Sequence, residues 1–159
     1  MSMRSVLLGT VAGAVGTAAL DLATYTDMIV RARPASETPS EFVKKLAQDA
    51  GIAYLSGDDD DAKNRRSGTG ALLGYANGLG VGALYGALRP LLRGVPLPLA
   101  ALAAGGAAMA LSDVPLVRSG VTDPQSWGTS GWLADALPHA LYGLAVALTF
   151  DALAAQGGD

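Results

Sequence analysis

The sequence contains no cysteine and a single histidine. Without cysteine the chain has no disulfide framework, no thiolate nucleophile and no zinc ribbon. A single histidine excludes two-histidine metal motifs such as H-E-x-x-H, and no G-x-S-x-G nucleophile motif is present. We therefore expect a protein that is not an enzyme and that holds no cofactor and no metal.

Charged residues are also scarce. Asp, Glu, Lys and Arg make up 16% of the 159 residues, whereas an average soluble domain has roughly 25%. The formal net charge is −3 and no basic stripe is present, which excludes electrostatic binding to nucleic acid. Half of the residues are apolar and the mean hydropathy is +0.33. This composition indicates a membrane protein.

Four long apolar stretches support that interpretation. The middle two, 69–88 and 94–112, contain no charged residue, and each is long enough to cross about 30 Å of hydrocarbon as a helix. The outer two contain a few ionisable residues. The prediction is one all-α membrane domain over 1–159, an integral membrane four-helix bundle. Its transmembrane helices are predicted near 5–27, 69–89, 95–116 and 132–153.

The first apolar stretch has an alternative interpretation as a signal peptide. Residues 1–4 would be its basic start, 6–20 its apolar region and 12–14 its small-residue cleavage site. Because the apolar stretch continues well beyond residue 14, we expect an uncleaved transmembrane helix.

One sizeable polar segment, 31–67, separates the first two predicted helices. Within it, Thr38-Pro39-Ser40-Glu41 matches a capping box with proline at the first helical position, and Gly51 suits a helix stop. These signals predict a short amphipathic helix at 39–50 that lies on the membrane surface or on the helix ends. We expect the acidic run 58–61 at the start of the next helix, followed by basic residues that anchor it at the interface.

The distribution of basic residues predicts the orientation. Eight of the eleven lysines and arginines lie in the 31–67 loop or at Arg118 in the third loop. The opposite side has only Arg4, Arg89 and Arg93. Because cytoplasmic loops carry the excess of Lys and Arg, we expect loop 31–67 in the cytoplasm and both termini outside. The expected location is the plasma (inner) membrane, which the chain crosses several times.

Glycine recurs at every fourth position of the second predicted helix, and shorter series of small residues mark the others. Lipid supplies no hydrophobic force between helices, so close backbone approach through small residues must hold them together. Each step of four residues drifts about 40° around a helix, which implies a steep crossing or contact with two neighbours. A glycine-lined pore is the alternative. The residues predicted to pack helices are Gly9, Gly13, Gly70, Gly74, Gly78, Gly82, Gly86 and Gly143.

Ionisable residues within the apolar stretches form a second pattern. The first and third helices run in the same direction and the fourth begins where they end, so their polar residues converge on the side of loop 31–67. Asp135 and His139 are i,i+4 neighbours and are expected to touch. The candidate polar or proton site comprises Asp21, Tyr25, Asp27, Asp113, Asp135 and His139. The alternative is that these acids are structural anchors, paired with Arg31, Arg33 or Arg65.

The last helix carries a short recognisable motif. His139-Ala-Leu-Tyr142-Gly143 resembles an H-x-x-Y-G signature in the final helix of small bacterial four-helix inner-membrane proteins, the YagU-like proteins. The glycine-rich first and second helices, Pro34 after the first helix and Pro115 at the close of the third are similar too. The resemblance implies a bacterial plasma-membrane protein with no assigned chemistry.

Two functions remain open from the sequence. The first is a non-enzymatic accessory protein or subunit that packs through glycine seams against another membrane protein or a second copy of itself, within the lipid bilayer. The alternative is a small transporter or proton-linked permease that uses the intramembrane Asp/His cluster.

Overall fold

The computed structural model describes residues 2–92 and 94–156, so Arg93 of the orientation argument lies outside the described residues. Over these residues the chain is helical and contains no strand. Its α-helices are α1 (Met3–Arg31), α2 (Thr38–Asp49), α3 (Ala53–Ser56), α4 (Asp60–Leu88), α5 (Leu97–Arg118) and α6 (Gly128–Ala155). Two short 3-10 helices, Arg89–Leu92 and Pro124–Ser126, follow α4 and precede α6.

Four helices are long and apolar enough to cross a membrane: α1, α4 with its 3-10 extension, α5 and α6. The all-helical prediction and the four long apolar helices are confirmed. The segment that also fits a signal peptide is one uninterrupted helix through Ala14, and it packs against α4 and α6.

Two helices extend beyond their predicted membrane-spanning stretches. As expected from the acidic run 58–61, α4 begins there, at Asp60, and the carboxylate of Asp59 caps the helix by accepting a hydrogen bond from the N–H of Ala62 at 2.9 Å. Asp60 and Asp61 then occupy the first turn, where the helix dipole favours negative charge. The last helix, α6, begins at Gly128 rather than at 132.

Pro115 lies in the last turn of α5, three residues before its end. Proline removes one backbone hydrogen bond, but α5 continues around it to Arg118, and the N–H of Ser119 still bonds to the carbonyl oxygen of Pro115 at 3.0 Å. The chain then turns at Gly120, whose φ of 73° suits glycine.

Within the polar segment, α2 lies within one residue of its predicted bounds, but the capping box is wrong. Glu37 rather than Thr38 occupies the N-cap, and no side chain caps the helix. At the other end Gly51 has φ 70°, and the N–H of Ile52 bonds to the carbonyl oxygen of Ala47 at 2.8 Å, as in a Schellman stop.

The amphipathic face of α2 packs inside the protein. Val43 and Ala47 are buried, and Pro39 at the start of the helix contacts Gly70 of α4. The neighbouring Arg66 differs from the predicted interfacial anchor, because it is only 2% exposed. Its Nη1 donates to the carbonyl oxygens of Leu55 at 2.9 Å and Gly57 at 2.6 Å. Arg66 thus supplies donors to the end of the four-residue helix α3.

Glycines set the contacts among the long helices. α1 lies between α4 and α6, and α5 packs on α6 and reaches α4. A Cβ at Gly13 would lie 2.6 Å from the carbonyl oxygen of Gly78, and one at Gly82 would lie 2.5 Å from the Cα of Gly13. Gly143 meets the backbone of Gly105 in the same way, since its Cβ would lie 2.6 Å from the amide nitrogen. Close approach at these positions depends on the missing side chain.

The remaining predicted packing glycines have different surroundings. Gly9 faces the backbone of Gly82 and Gly86, which extends the contact between α1 and α4. Gly70 contacts α2, whereas Gly74 has no heavy atom within 4 Å of where its Cβ would lie. The five regularly spaced glycines of α4 therefore have different neighbours: Gly70 meets α2, Gly74 meets open space, Gly78 meets both α1 and α6, and the last two meet α1.

Small side chains fill most of the interior of the bundle and large apolar side chains cover its exterior, the reverse of the arrangement in a soluble domain. Tyr142 and Val146 are the largest fully buried side chains, and most other core positions are Ala or Gly. Large apolar side chains instead cover the outside of the bundle, including Leu7, Leu22, Leu72, Leu84, Leu102 and Leu111. This pattern is typical of helices that pack through small residues and present large ones to lipid.

Candidate functional site: a polar cavity between four helices

A cavity of about 760 Å³ lies between the four long helices, in the half of the bundle that carries the 31–67 loop. Its walls are formed by parts of all four, and the first residues of α2 lie beside it. Ligand pockets in proteins span about 300–1,000 Å³. The lining stretches fall within 17–33 of α1 and its following loop, 67–78 of α4, 108–116 of α5 and 130–142 of α6.

Three interhelical hydrogen bonds lie at the inner end of the cavity. The hydroxyl of Tyr142 donates to the carbonyl oxygen of Gly78 at 2.6 Å, and Tyr142 is only 1% exposed. The amide nitrogen of Asn77 donates to the carbonyl oxygen of Ala108 at 2.9 Å and to the hydroxyl of Ser112 at 2.8 Å. These bonds tie α6 to α4 and α4 to α5.

Asp135 and His139 touch within the cavity, one turn apart on α6. The Nδ1 of His139 lies 3.1 Å from Oδ1 of Asp135 and 2.9 Å from its carbonyl oxygen. This arrangement occupies Nδ1 and leaves Nε2 as the remaining ring nitrogen for a proton or a ligand. The second carboxylate oxygen of Asp135, Oδ2, is buried without a hydrogen-bond partner.

Pro138 adds a further polar group to the same wall. Because proline has no N–H, the carbonyl group of Ala134 lacks its helical donor. Ala134 and Pro138 both line the cavity. One wall of α6 therefore presents a carbonyl group, a carboxylate and an imidazole to the interior, and Asp113 of α5 lines the cavity as well.

Asp21 and Tyr25 bring polar groups from α1. The hydroxyl of Tyr75 on α4 donates to Oδ2 of Asp21 at 3.4 Å, and all three residues line the cavity. Among the described residues, no lysine or arginine lies within 4.0 Å of the carboxylate of Asp21, Asp113 or Asp135. Three carboxylates from three helices thus share the interior with one histidine.

Asp27 does not join this group. It lies near the end of α1, where its Oδ2 is 2.5 Å from Nη2 of Arg31 and 2.5 Å from Nε of Arg33. For this residue the structure gives the alternative that the sequence left open, an anchor paired with arginines. The two arginines themselves lie at the mouth of the cavity, and Nη1 of Arg31 donates to the carbonyl oxygen of Ser130 on α6 at 3.3 Å.

Sequence reasoning missed several residues of this site. Asn77 was the clearest available signal, because it is an amide inside a stretch of 20 residues without charge. The sequence indicates Tyr142 only as part of the H-x-x-Y-G motif. In that motif Tyr142 follows His139 by three residues, so the two lie on the same face of the helix. The sequence indicates Arg31 and Arg33 only as topology signals and anchors, and it gives no signal for Trp127, although all three line the cavity.

An ion pair lies at the opposite end of the bundle. The guanidinium of Arg89 contacts both carboxylate oxygens of Asp151 at 3.3 and 3.1 Å, joining the end of α4 to α6. Its Nη1 also donates to the carbonyl oxygens of Leu92 and Val95, both at 3.0 Å. The turn between α4 and α5 is thereby fixed on the last helix.

The acidic run of the 31–67 segment lies apart from the cavity. A hydrogen bond from Nζ of Lys44 at 2.6 Å lowers the pKa of the Asp58 carboxyl below its usual value. The N–H of Ala62, which donates to the capping carboxylate, similarly lowers the pKa of Asp59. These acids stabilise the segment and the start of α4.

Comparison with protein-family models, with curated proteins and with solved structures finds no match to this chain. The resemblance to YagU-like proteins therefore stays a prediction from the residues of the last helix.

Proposed function

We propose that this chain is a small transporter or proton-linked permease of the plasma membrane. The observation that carries the proposal is the set of carboxylates in the cavity, contributed by Asp21, Asp113 and Asp135, none of which has a lysine or arginine within 4.0 Å among the described residues. A protein that serves only as a structural subunit has no need of such a cavity.

Membrane insertion is supported by the surface of the bundle. The large apolar side chains on its exterior, such as Leu72 at 71% and Leu102 at 63% exposure, have no cover within the chain. In water this surface would be a strong driving force for aggregation, whereas lipid covers it at no cost. The four long helices are each sufficient to cross a bilayer.

The energetics of the carboxylates favour a cationic or protonated solute. Burying an ionised carboxylate without a partner is expensive, and intramembrane acids usually face a water-filled pathway or a ligand. A proton or a cation in the cavity neutralises them. His139 stands next to Asp135 with Nε2 available, and an imidazole exchanges protons near physiological pH in the way a proton relay requires.

The charge distribution supports a cytoplasmic mouth. The cavity opens toward the end of the bundle that carries the 31–67 loop and Arg118, where the lysines and arginines are concentrated. Both termini then lie outside. Transport requires that the opposite end also opens, and there the pair of Arg89 and Asp151 is the contact that must separate.

The accessory or subunit function is the second candidate. Gly80 and Gly106 favour it, because no heavy atom lies within 4 Å of where their Cβ atoms would be, which leaves room for a partner helix. The glycines that make the closest helix contacts count against the subunit function, because their partners lie within the chain itself. Gly13 contacts Gly82, and Gly105 contacts Gly143.

Proton movement in reconstituted vesicles tests the proposal. We expect the purified chain in proteoliposomes to carry protons when a membrane potential is imposed, measured with an internal pH-sensitive dye. Asp135→Asn should abolish this flux. Asp49→Asn is the matched control, because Asp49 is an exposed acid on α2 paired with Lys45 outside the cavity. Flux through Asp135→Asn equal to that of the unsubstituted chain, with the same elution volume in size-exclusion chromatography, would contradict the proposal.

A further inference from the structure

The two ends of the cavity have opposite charge. At the mouth, the guanidinium groups of Arg31 and Arg33 share the single carboxylate of Asp27, so one positive charge is left over. Deeper in the cavity, carboxylates outnumber cationic groups, since only His139 accompanies them. A solute that satisfies both ends must itself have an anionic and a cationic group.

The distance between the two ends follows from α6. Arg31 reaches the carbonyl oxygen of Ser130, and Asp135 lies five residues further along the same helix. At about 1.5 Å per residue, the backbone positions of Ser130 and Asp135 are about 7 Å apart along the helix axis. An α-amino acid has its charges too close together to reach both groups.

The mouth has donors available for an anion. Arg31 uses Nη1 for Ser130 and Nη2 for Asp27, and Arg33 uses Nε for Asp27 and Nη1 for the carbonyl oxygen of Pro34. Each guanidinium has five N–H donors, so some on both side chains are not engaged. Carboxylates and phosphates are the anions that such forks bind best.

The deep end has acceptors available for an ammonium group. Oδ2 of Asp135 is buried without a partner, and the freed carbonyl group of Ala134 lies on the same wall. The cavity is also lined by apolar groups, among them Leu20, Ala71 and Leu116. A short apolar chain between the two charges fits this lining.

We propose that the cavity binds a zwitterion whose ammonium and carboxylate groups lie about 7 Å apart, the ammonium at Asp135 and the carboxylate at Arg31 and Arg33. Medium-length ω-amino acids and dipeptides share this chemistry. The inference rests on the proposed function, for which it specifies the class of solute.

Binding of defined probes to the full-length chain in lipid nanodiscs tests the inference. Equilibrium dialysis would use radiolabelled 6-aminohexanoate and radiolabelled alanyl-alanine, with glycine, hexylamine and hexanoate as competitors. We expect both long zwitterions to bind. Glycine, which is too short, and hexylamine and hexanoate, which each lack one charge, should compete at least about tenfold more weakly, as expected for the loss of a charged hydrogen bond.

Substitutions at the two ends of the cavity separate the contributions of the mouth and of Asp135 to binding. Arg31→Gln and Arg33→Gln should each weaken the binding of 6-aminohexanoate about tenfold and leave the binding of hexylamine unchanged, because hexylamine has no anionic group to contact the mouth. Asp135→Asn should weaken the binding of both compounds. Arg65→Gln is the matched control, because Arg65 pairs with Asp61 on the surface of α4 and does not line the cavity.

Two outcomes would overturn the inference. Hexylamine binding as tightly as 6-aminohexanoate would show that the mouth contributes no anion site, and no binding of either long zwitterion would show that the cavity does not bind this class of solute. If proton flux still depends on Asp135, the proposed function survives that result. A preserved preference for the long zwitterions without proton flux would instead refute the proposed transport and leave the zwitterion site standing. A preference for alanyl-alanine would identify peptides as the class, and a preference for 6-aminohexanoate would identify ω-amino acids.

Discussion

The hydroxyl of Tyr142 and the carbonyl oxygen of Gly78 form a hydrogen bond of 2.6 Å at the inner end of the cavity, where α4 and α6 meet. A Cβ at position 78 would make an ordinary contact with the Tyr142 ring, at 3.5 Å, but would collide with the hydroxyl of Thr17. One residue of the predicted packing series and one of the H-x-x-Y-G motif thus form the floor of the site.

Tyr142→Phe should destabilise the protein by about 0.5–1.5 kcal/mol, the usual net contribution of a hydrogen bond, including those between membrane helices. The measurement is equilibrium unfolding in mixed detergent micelles. Tyr54→Phe serves as the control, because Tyr54 is 64% exposed. Equal unfolding free energies for Tyr142→Phe and the unsubstituted chain would show that the bond contributes nothing.

Two glycines of α4 that are two residues apart should respond very differently to alanine. Gly82→Ala places a Cβ 2.5 Å from the Cα of Gly13, so α1 and α4 must move apart. We expect a loss of about 1–3 kcal/mol, typical of overpacking. The Cβ introduced by Gly80→Ala would have no heavy atom within 4 Å. Because alanine has a higher helix propensity than glycine, the free energy of unfolding should be unchanged or higher. The same unfolding assay compares the two, and similar losses would contradict the close approach of α1 and α4.

This difference between Gly80 and Gly82 shows where sequence reasoning ends. The uncharged runs predict that α4 and α5 are apolar helices, and the i,i+4 spacing predicts the pair of Asp135 and His139. Neither pattern shows which side of α4 faces α1. Gly74 and Gly82 belong to the same series of every fourth residue, but Gly74 borders the cavity and Gly82 packs against the backbone of α1.

The different surroundings of Asp21 and Asp27 cannot be predicted from the sequence either. Both are acids near the end of the same apolar stretch. What separates them is a tertiary arrangement, since Tyr75 of α4 reaches Asp21 while the chain turns after α1 and brings Arg33 back to Asp27. Asn77 was visible as a polar residue in an apolar run, but its partners on α5 depend on the packing of α4 against that helix.

The start of α4 should loosen at low pH. The N–H of Ala62 holds the pKa of Asp59 below its usual value in the folded state, so the carboxylate stabilises the helix above the unfolded pKa of about 3.9. This contribution is lost as the pH falls through the lowered pKa. Amide hydrogen exchange in the segment 58–66, followed by mass spectrometry, should therefore accelerate relative to the rest of α4 as the pH is lowered.

Asp59→Asn is the matched variant for that measurement. Asparagine caps helices about as well as aspartate but does not titrate. We expect Asp59→Asn to keep the protection of the segment at neutral pH and to reduce its dependence on pH. The pH dependence that remains in Asp59→Asn should come from Asp58, whose pKa is lowered by the hydrogen bond from Lys44. An unchanged pH dependence would mean that the cap of α4 is not responsible.

The proposed orientation can be tested directly, because the chain has no cysteine of its own. Asp60→Cys introduces a thiol at the start of α4, where the native side chain is 93% exposed. If the mouth of the cavity faces the cytoplasm, an impermeant thiol reagent added to intact cells should not label it and should label it after the membrane is permeabilised. Gly94→Cys, in the turn between α4 and α5 at the other end of the bundle, should be labelled in intact cells. The reverse pattern would place the mouth outside, and the cavity would then take up its solute from the outer face.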